Sequence, residues 1–218
     1  MSWLITAKQY IPAVIGEPFG GGFFAGYISH TADGNPTHAL IVAPRATGAT
    51  GTGYTLTTQR QWKTTDTATA GANSVFNGAA NTAAIVTAGI ADHPAAQFCV
   101  GLSIGGFTDW YLPAVAELNI AYFNLKPNTN SNFTGAGSNI YAVPSRGSNF
   151  TAGNPAQTAL TAFVSGGEQF QSSDHWASSE ASATNGNYYG FNSGFPGSRA
   201  KTTSTTAANV RAFRRIAL

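Results

Sequence analysis

The chain has 218 residues, with only 9% charged side chains against 43% apolar and 12% aromatic ones. It therefore has the material for a packed core and lacks the low-hydropathy, high-charge composition of a disordered chain. The net charge is +2 and basic residues cluster only at Arg211, Arg214 and Arg215, which argues against a nucleic-acid partner; no apolar run reaches the length of a membrane span.

Residues 1–14 read as an N-terminal arm, with Trp3, Leu4, Ile5 and Ile11 as candidate assembly contacts, and residues 15–218 as one domain. The start of the chain has neither the basic residues nor the long apolar run of a signal peptide. Phe23 to Ile28 and Thr37 to Ala43 are expected to pair as a hairpin around the polar turn Thr31 to Pro36. Gly20-Gly21-Gly22 has neither the spacing nor the following helix of a phosphate-binding loop. Between Arg45 and Asn73 the chain is rich in Thr, Gly and Ala, with a short strand expected at Tyr54 to Thr57. The apolar spacing predicts a helix from residue 73 or 74 to 91 that packs through Val75, Ala79, Thr82, Ile85, Val86 and Ile90. His93-Pro94 breaks it, and a second helical piece over 95–102 carries Cys99 inward. A lone cysteine beside Phe98 and Val100 reads as a buried thiol, and it excludes a disulfide framework or a cysteine-rich zinc site.

The stretch from Gly105 to Leu118 is the junction around which the rest is organised. Two glycines permit a turn, Asp109 sits beside Trp110 and Tyr111, and Pro113 suits a first helical position because its missing N–H is no loss there. Val115, Leu118, Tyr122 and Leu125 form one helical stripe that Lys126-Pro127 ends, and Glu117 near the helix N-terminus meets exposed N–H groups, an effect worth about 0.3–1 kcal/mol.

Residues 127–170 are expected to hold variable surface loops rather than core, with a short strand at 139–143 and a helical or irregular segment over 155–164. Trp176 to Glu180 and Tyr188 to Phe191 read as strands, 194–208 as a loop carrying Arg199 and Lys201, and 210–216 as the last strand. Alternation places Val210, Ala212, Arg214 and Ile216 on one face. A core-facing Arg214 needs a carboxylate, and Asp109, Glu117 and Glu180 are the candidates.

Taken together, Gly106-Phe107-Thr108-Asp109-Trp110-Tyr111-Leu112-Pro113, Glu117-Leu118, Trp176-Ala177-Ser178-Ser179-Glu180 and Val210-Arg211-Ala212-Phe213-Arg214 resemble the Lcl-type domain of bacterial adhesins and phage tail-fibre or virion proteins, a branch of the C-type-lectin-like folds. The run from Ile15 to Gly26, with Ala39 to Pro44, is similar to the leader that precedes this domain in phage structural proteins. The resemblance covers residues 90–218 best. It implies an α+β, C-type-lectin-like fold with small antiparallel sheets, two main helices and long surface loops, in which Asp109, Trp110, Pro113, Glu117, Trp176, Glu180 and Arg214 are framework residues. It further implies a phage virion structural protein (decoration, fibre or tail-tip component) that attaches to a host surface or glycan, with a bacterial adhesin or glycan-binding module as the alternative and a glycan-processing enzyme as the more distant one. The expected partners are other virion proteins, further copies of the chain and a cell-surface glycan or protein receptor, with no nucleic acid and no membrane insertion.

The paired carboxylate and amide motifs of calcium-dependent lectins are missing, and Asn35-Pro36 lacks the preceding glutamate. Sugar binding is therefore expected to need no calcium and to use aromatic platforms and amides, for which Trp62, Asn187, Tyr188, Tyr189 and Phe191 are the candidates. No catalytic residue, metal or cofactor is expected. Asp109 and Glu180 fit structural pairing better than a glycosidase pair. No serine near Asp174-His175 sits in a nucleophile elbow. Cys99 lacks the companion thiol of the formylglycine-generating enzymes. The four histidines form no ligand pattern, although the hairpin is able to bring His30 and His38 together.

Overall fold

The computed structural model describes residues 10–204 and 208–218. The expected hairpin forms the centre of the main sheet. Strand β2 (Gly22–Ile28) pairs antiparallel with β3 (His38–Val42), and Gly26 makes a bulge at φ 130°. The short β1 (Pro18–Phe19) and β5 (Ala142–Val143) pair with β2, and β10 (Phe213–Ala217) pairs with β3, so the N- and C-terminal strands meet in one sheet. Ala39, Leu40, Ile41 and Val42 are all fully buried because both faces of this sheet are covered. Leu40 and Val42 face one apolar cluster with Leu118, Tyr122 and Phe213, while Ile41 faces another with Trp62, Trp110 and Trp176.

Two smaller antiparallel sheets flank it. One joins β4 (Ala49–Thr50) to β9 (Val210–Arg211), and the other runs β6 (Asp174–Glu180), β7 (Asn185–Gly190), β8 (Phe195–Ala200). Together with the five α-helices and one 3-10 turn among the described residues, these sheets make a mixed helix and sheet architecture of the α+β kind. Helix α1 (Arg45–Gly48) follows β3, and α5 (Thr161–Val164) is a single turn that buries Phe163. Helix α4 (Val115–Leu125) packs against β2, β5, β6 and β7 and is buried nearly all round. No helix among the described residues is long and apolar enough to cross a membrane.

Several expectations shift. Helix α2 spans Gly78–Gly89, later than expected, because the Ser74 hydroxyl accepts the Asn77 N–H and the Asn77 side chain caps the helix by accepting from Ala80 N–H at 2.9 Å. Thr82 and Ile85 are buried as expected, but Val75 and Val86, also expected to pack, are 48% and 46% exposed, and Asn81 joins the buried face. Helix α3 (Pro94–Val100) carries a buried Cys99, as read from the sequence. Helix α4 starts two residues past Pro113, with Ala114 as its cap residue. The segment expected as a loop over 194–208 contains β8, and the single last strand is broken at Ala212, which bonds to Gly48 and Ala43 while β9 and β10 enter different sheets. Tyr54 is buried outside any strand, and Phe150, Phe163 and Phe170 bring the region 127–170 into the core. Of the arm, Trp3, Leu4 and Ile5 lie outside the described residues; Ile11 is half-buried, and Pro12 C=O accepts from the Tyr27 hydroxyl at 3.1 Å.

Candidate functional site: an uncharged two-lobed cleft

The junction before α4 brings the separated motifs together. Gly105 and Gly106 turn the chain at φ 61° and 82°, where glycine carries no steric cost. Tyr111 then exchanges backbone hydrogen bonds with Phe213, and the Ser178 N–H donates to Pro113 C=O at 2.7 Å. Trp110 and Trp176 are buried beside this crossing, with their indole N–H groups donating to Phe107 and Arg60 carbonyls. Arg214 pairs with Asp109, and its guanidinium lies 3.8 Å from the Phe107 ring centre.

The other two candidate carboxylates bond elsewhere. Glu117 is wholly buried and accepts from the Tyr111 hydroxyl at 2.8 Å and the Ala114 N–H at 2.7 Å. Burial raises its pKa to about 7, against the pull of those donors and of Arg215. Glu180 accepts from Lys201 Nζ at 2.5 Å and from Thr69 N–H at 2.9 Å. Lys201, expected on a loop, is fully buried. Arg211 is also fully buried, held by Ala43 C=O at 2.7 Å and Glu168 at 3.0 Å, and Asp174 pairs with Arg199. These acids are committed to cations and donors of the scaffold, so none is placed as one of a free pair of acids. His30 and His38 lie side by side, their rings tilted by 35° with centres 4.3 Å apart. No group of three or more His, Cys, Asp or Glu among the described residues is placed to hold a metal.

The expected aromatic platform is largely interior. Trp62, Tyr189 and Phe191 are at most 1% exposed. The Trp62 indole donates to Ala177 C=O at 2.7 Å and lies against Gly186, where an added Cβ would approach its ring at 2.7 Å. Phe191 stacks on Phe170 with ring centres 4.1 Å apart. Tyr189 and Phe191 join the apolar cluster of α4, Phe163 and Phe170, and Trp62 joins that of Trp110 and Trp176, where their large apolar areas are worth more than on the surface. Tyr188 and Asn187 remain partly exposed.

They border a cleft. Its first lobe, about 390 Å³, lies between the start of α4 and the 135–141 loop, with Val75, Val115, Asn119, Ile140, Tyr141 and Asn149 among its lining. A second lobe of about 390 Å³ holds Asn187, Tyr188, Gly197 and Ser198, and shares Val75, Val115 and Pro196 with the first. Both volumes lie in the usual range for ligand pockets. The floor is a hydrogen-bonded network. Asn119 donates to the Tyr189 hydroxyl at 2.9 Å and accepts from Asn139 at 2.9 Å and from Arg146, while Asn139 also donates to Ala116 C=O at 3.0 Å. Arg146 lies 4.3 Å from the Phe123 ring centre, and burial lowers its pKa to about 10. Four large apolar side chains with more than 40% or equal exposure, Val75, Phe133, Ile140 and Phe195, stand in or beside this cleft, and Phe133 and Phe195 pack edge to face at 4.9 Å.

No protein-family model and no curated protein matches this chain.

Of the cleft residues the sequence reading named Asn187, Tyr188 and Tyr189 as binding candidates; the others escaped it because they come from separated stretches of chain. Two signals were present. Asn119 interrupts the apolar run of α4, and a polar residue there must find partners when buried. Ser-Asn-Phe-Thr also occurs twice, at 131–134 and 148–151. The copies run antiparallel, with Asn132 N–H donating to Ala152 C=O and Phe150 N–H to Ala136 C=O. Asn132 and Phe150 are buried while Phe133 and Asn149 are exposed, so the two copies have opposite inside and outside residues.

Proposed function

We propose that this chain is a phage virion structural protein, a decoration, fibre or tail-tip component on a C-type-lectin-like scaffold, that attaches to the host surface through its cleft-bearing face. The virion role is supported by the resemblance of the Gly106 to Pro113, Trp176 to Glu180 and Val210 to Arg214 motifs, which meet around Tyr111 and Phe213. The observation that carries attachment over catalysis is the chemistry of the cleft. It is lined by amides, hydroxyls and apolar groups, and the acids of the motif regions are engaged in the scaffold. Turnover requires an acid, base or nucleophile poised at the ligand; recognition requires only shape and matched polar groups.

Two measurements test this reading. Antibody raised against the chain should label purified particles of the phage that encodes it, and its absence from those particles would overturn the virion role. The purified protein should adhere to host cells and Val75→Asp should abolish adhesion; adhesion unchanged by that substitution would remove the cleft from the attachment surface.

A further inference from the structure

The cleft described above also constrains what it binds. We propose that it takes an uncharged oligosaccharide in extended form, lying across both lobes without a metal ion; this rests on the attachment reading. Three features of the lining carry the inference.

The first is charge. No Lys, Arg, His, Asp or Glu is among the described residues lining either lobe; Arg199 adjoins the second lobe beside Tyr188 and Ser198, where it is paired with Asp174. Arg146 lies beneath the first lobe without lining it, its Nε and Nη2 held by Gly137 C=O and Asn119 and its face against the Phe123 ring. An anionic ligand would lose its hydration without a cation in the lining to pair with, whereas a neutral one has no charge to desolvate.

The second is the kind of polar group left free. The side chains of Ser138 and Asn149 in the first lobe, and of Asn187 and Ser198 in the second, hydrogen-bond to no other described residue, and neither does the Tyr188 hydroxyl. Amides and hydroxyls both donate and accept, as sugar hydroxyls do. Between them, Val75, Val115 and Pro196 form a shared apolar ridge, against which the C–H face of a sugar ring can lie. An apolar ridge joining two lobes that each carry free amides and hydroxyls suits consecutive rings of a chain better than a single compact molecule.

The third is the main chain. An extended peptide would be held by backbone hydrogen bonds, yet much of the backbone around the first lobe is engaged within the fold. Asn139 and Arg146 exchange N–H···O=C bonds, Ala136 C=O accepts from Phe150, Tyr141 C=O accepts from Ser29, and Val75 C=O accepts from Ala116. Recognition therefore falls to side chains, which favours a hydroxyl-rich ligand.

The test uses the full chain and an array of neutral oligosaccharides, each beside a sulfated or sialylated counterpart, followed by calorimetry on chains of two to six sugars with chelator present. The expected result is binding of a neutral oligosaccharide that survives chelation and strengthens with length up to the span of both lobes. Asn149→Ala and Val75→Asp should each weaken it at least tenfold. Asn187→Ala should reduce the affinity of longer chains to that of shorter ones. Val86→Asp, at an exposed site on α2 away from the cleft, serves as the control and should leave binding unchanged. Failure to bind any neutral oligosaccharide, preference for the anionic counterparts, or loss on chelation would overturn the proposal. Cell adhesion that is cleft-dependent but persists after removal of surface glycans would also overturn it, leaving attachment to a protein receptor. Oligosaccharide binding without cell adhesion would support the site and remove the attachment reading on its own.

Discussion

Replacing Lys201 by methionine should destabilise this protein more than almost any other polar substitution. The ammonium is fully buried and donates to Glu180 at 2.5 Å and to the carbonyls of Thr67 and Ala183 at 2.9 and 2.8 Å, with the Trp62 ring centre 4.8 Å away. Methionine fills the space but strands the Glu180 carboxylate, only 12% exposed, with the Thr69 N–H as its remaining donor. Breaking a buried pair by removing one partner costs about 3–5 kcal/mol, and a domain's whole stability is about 5–15 kcal/mol. With a urea dependence of about 2–3 kcal/mol per molar, the unfolding midpoint should fall by about 1–2.5 M. Glu180→Gln in the same background removes the stranded charge and should recover part of the loss, so the two substitutions combine non-additively by at least about 1 kcal/mol. Equilibrium urea unfolding of the wild type, both single variants and the double variant measures all four corners. A loss below about 1 kcal/mol for Lys201→Met, or strict additivity, would refute the argument that this pair is a buried, mutually dependent unit.

Glu117 supplies a pH test. Its folded pKa of about 7 lies above the unfolded value, so the native state holds a proton that the unfolded chain releases between about pH 4.5 and 7, and stability should fall as pH rises through that window. The contribution is of the order of 3 kcal/mol. Because burial lowers the pKa values of His30, His38, His93 and His175 and gives the opposite slope, the quantity to compare is the difference between wild type and Glu117→Gln in melting temperature across this range. Parallel curves would exclude a titrating Glu117. Gly78→Ala should cost about 1–3 kcal/mol in thermal unfolding, since the new Cβ would meet the Glu117 carboxylate and lie 2.7 Å from Ala114 N and 2.8 Å from Leu112 O. The Cys99 thiol is fully buried and burial pushes its pKa up, so a thiol reagent should label it only in denaturant; stoichiometric labelling of the native protein would contradict that placement.

The elements legible in the sequence are those whose pattern is local. The hairpin of β2 and β3 is bounded by its own turn residues, and α4 shows an apolar stripe closed by Lys126-Pro127. Arg214 could be assigned a carboxylate from strand alternation alone, although choosing Asp109 over Glu117 and Glu180 required the fold. What escaped detection depends on distant packing. Pro196 and Gly197 disguised β8 as a loop, yet an edge strand tolerates both. Trp62 and Phe191 look like surface platforms in a polar neighbourhood, and only Gly186 and Phe170, brought from elsewhere, show that they are enclosed. The cleft had no local signature, because Val75, Asn149 and Asn187 belong to separate stretches.

The twofold use of Ser-Asn-Phe-Thr sets which positions on the cleft rim are free to change. Asn132 accepts from the Tyr122 hydroxyl at 2.6 Å and donates to Pro155 C=O at 2.9 Å, while Phe150 packs beside Tyr122 and Phe123. Their immediate neighbours Phe133 and Asn149 face outward. Tolerance to substitution should therefore alternate from one residue to the next, so that a lineage can rewrite what this rim displays one side chain at a time while the rivets beneath it stay in place.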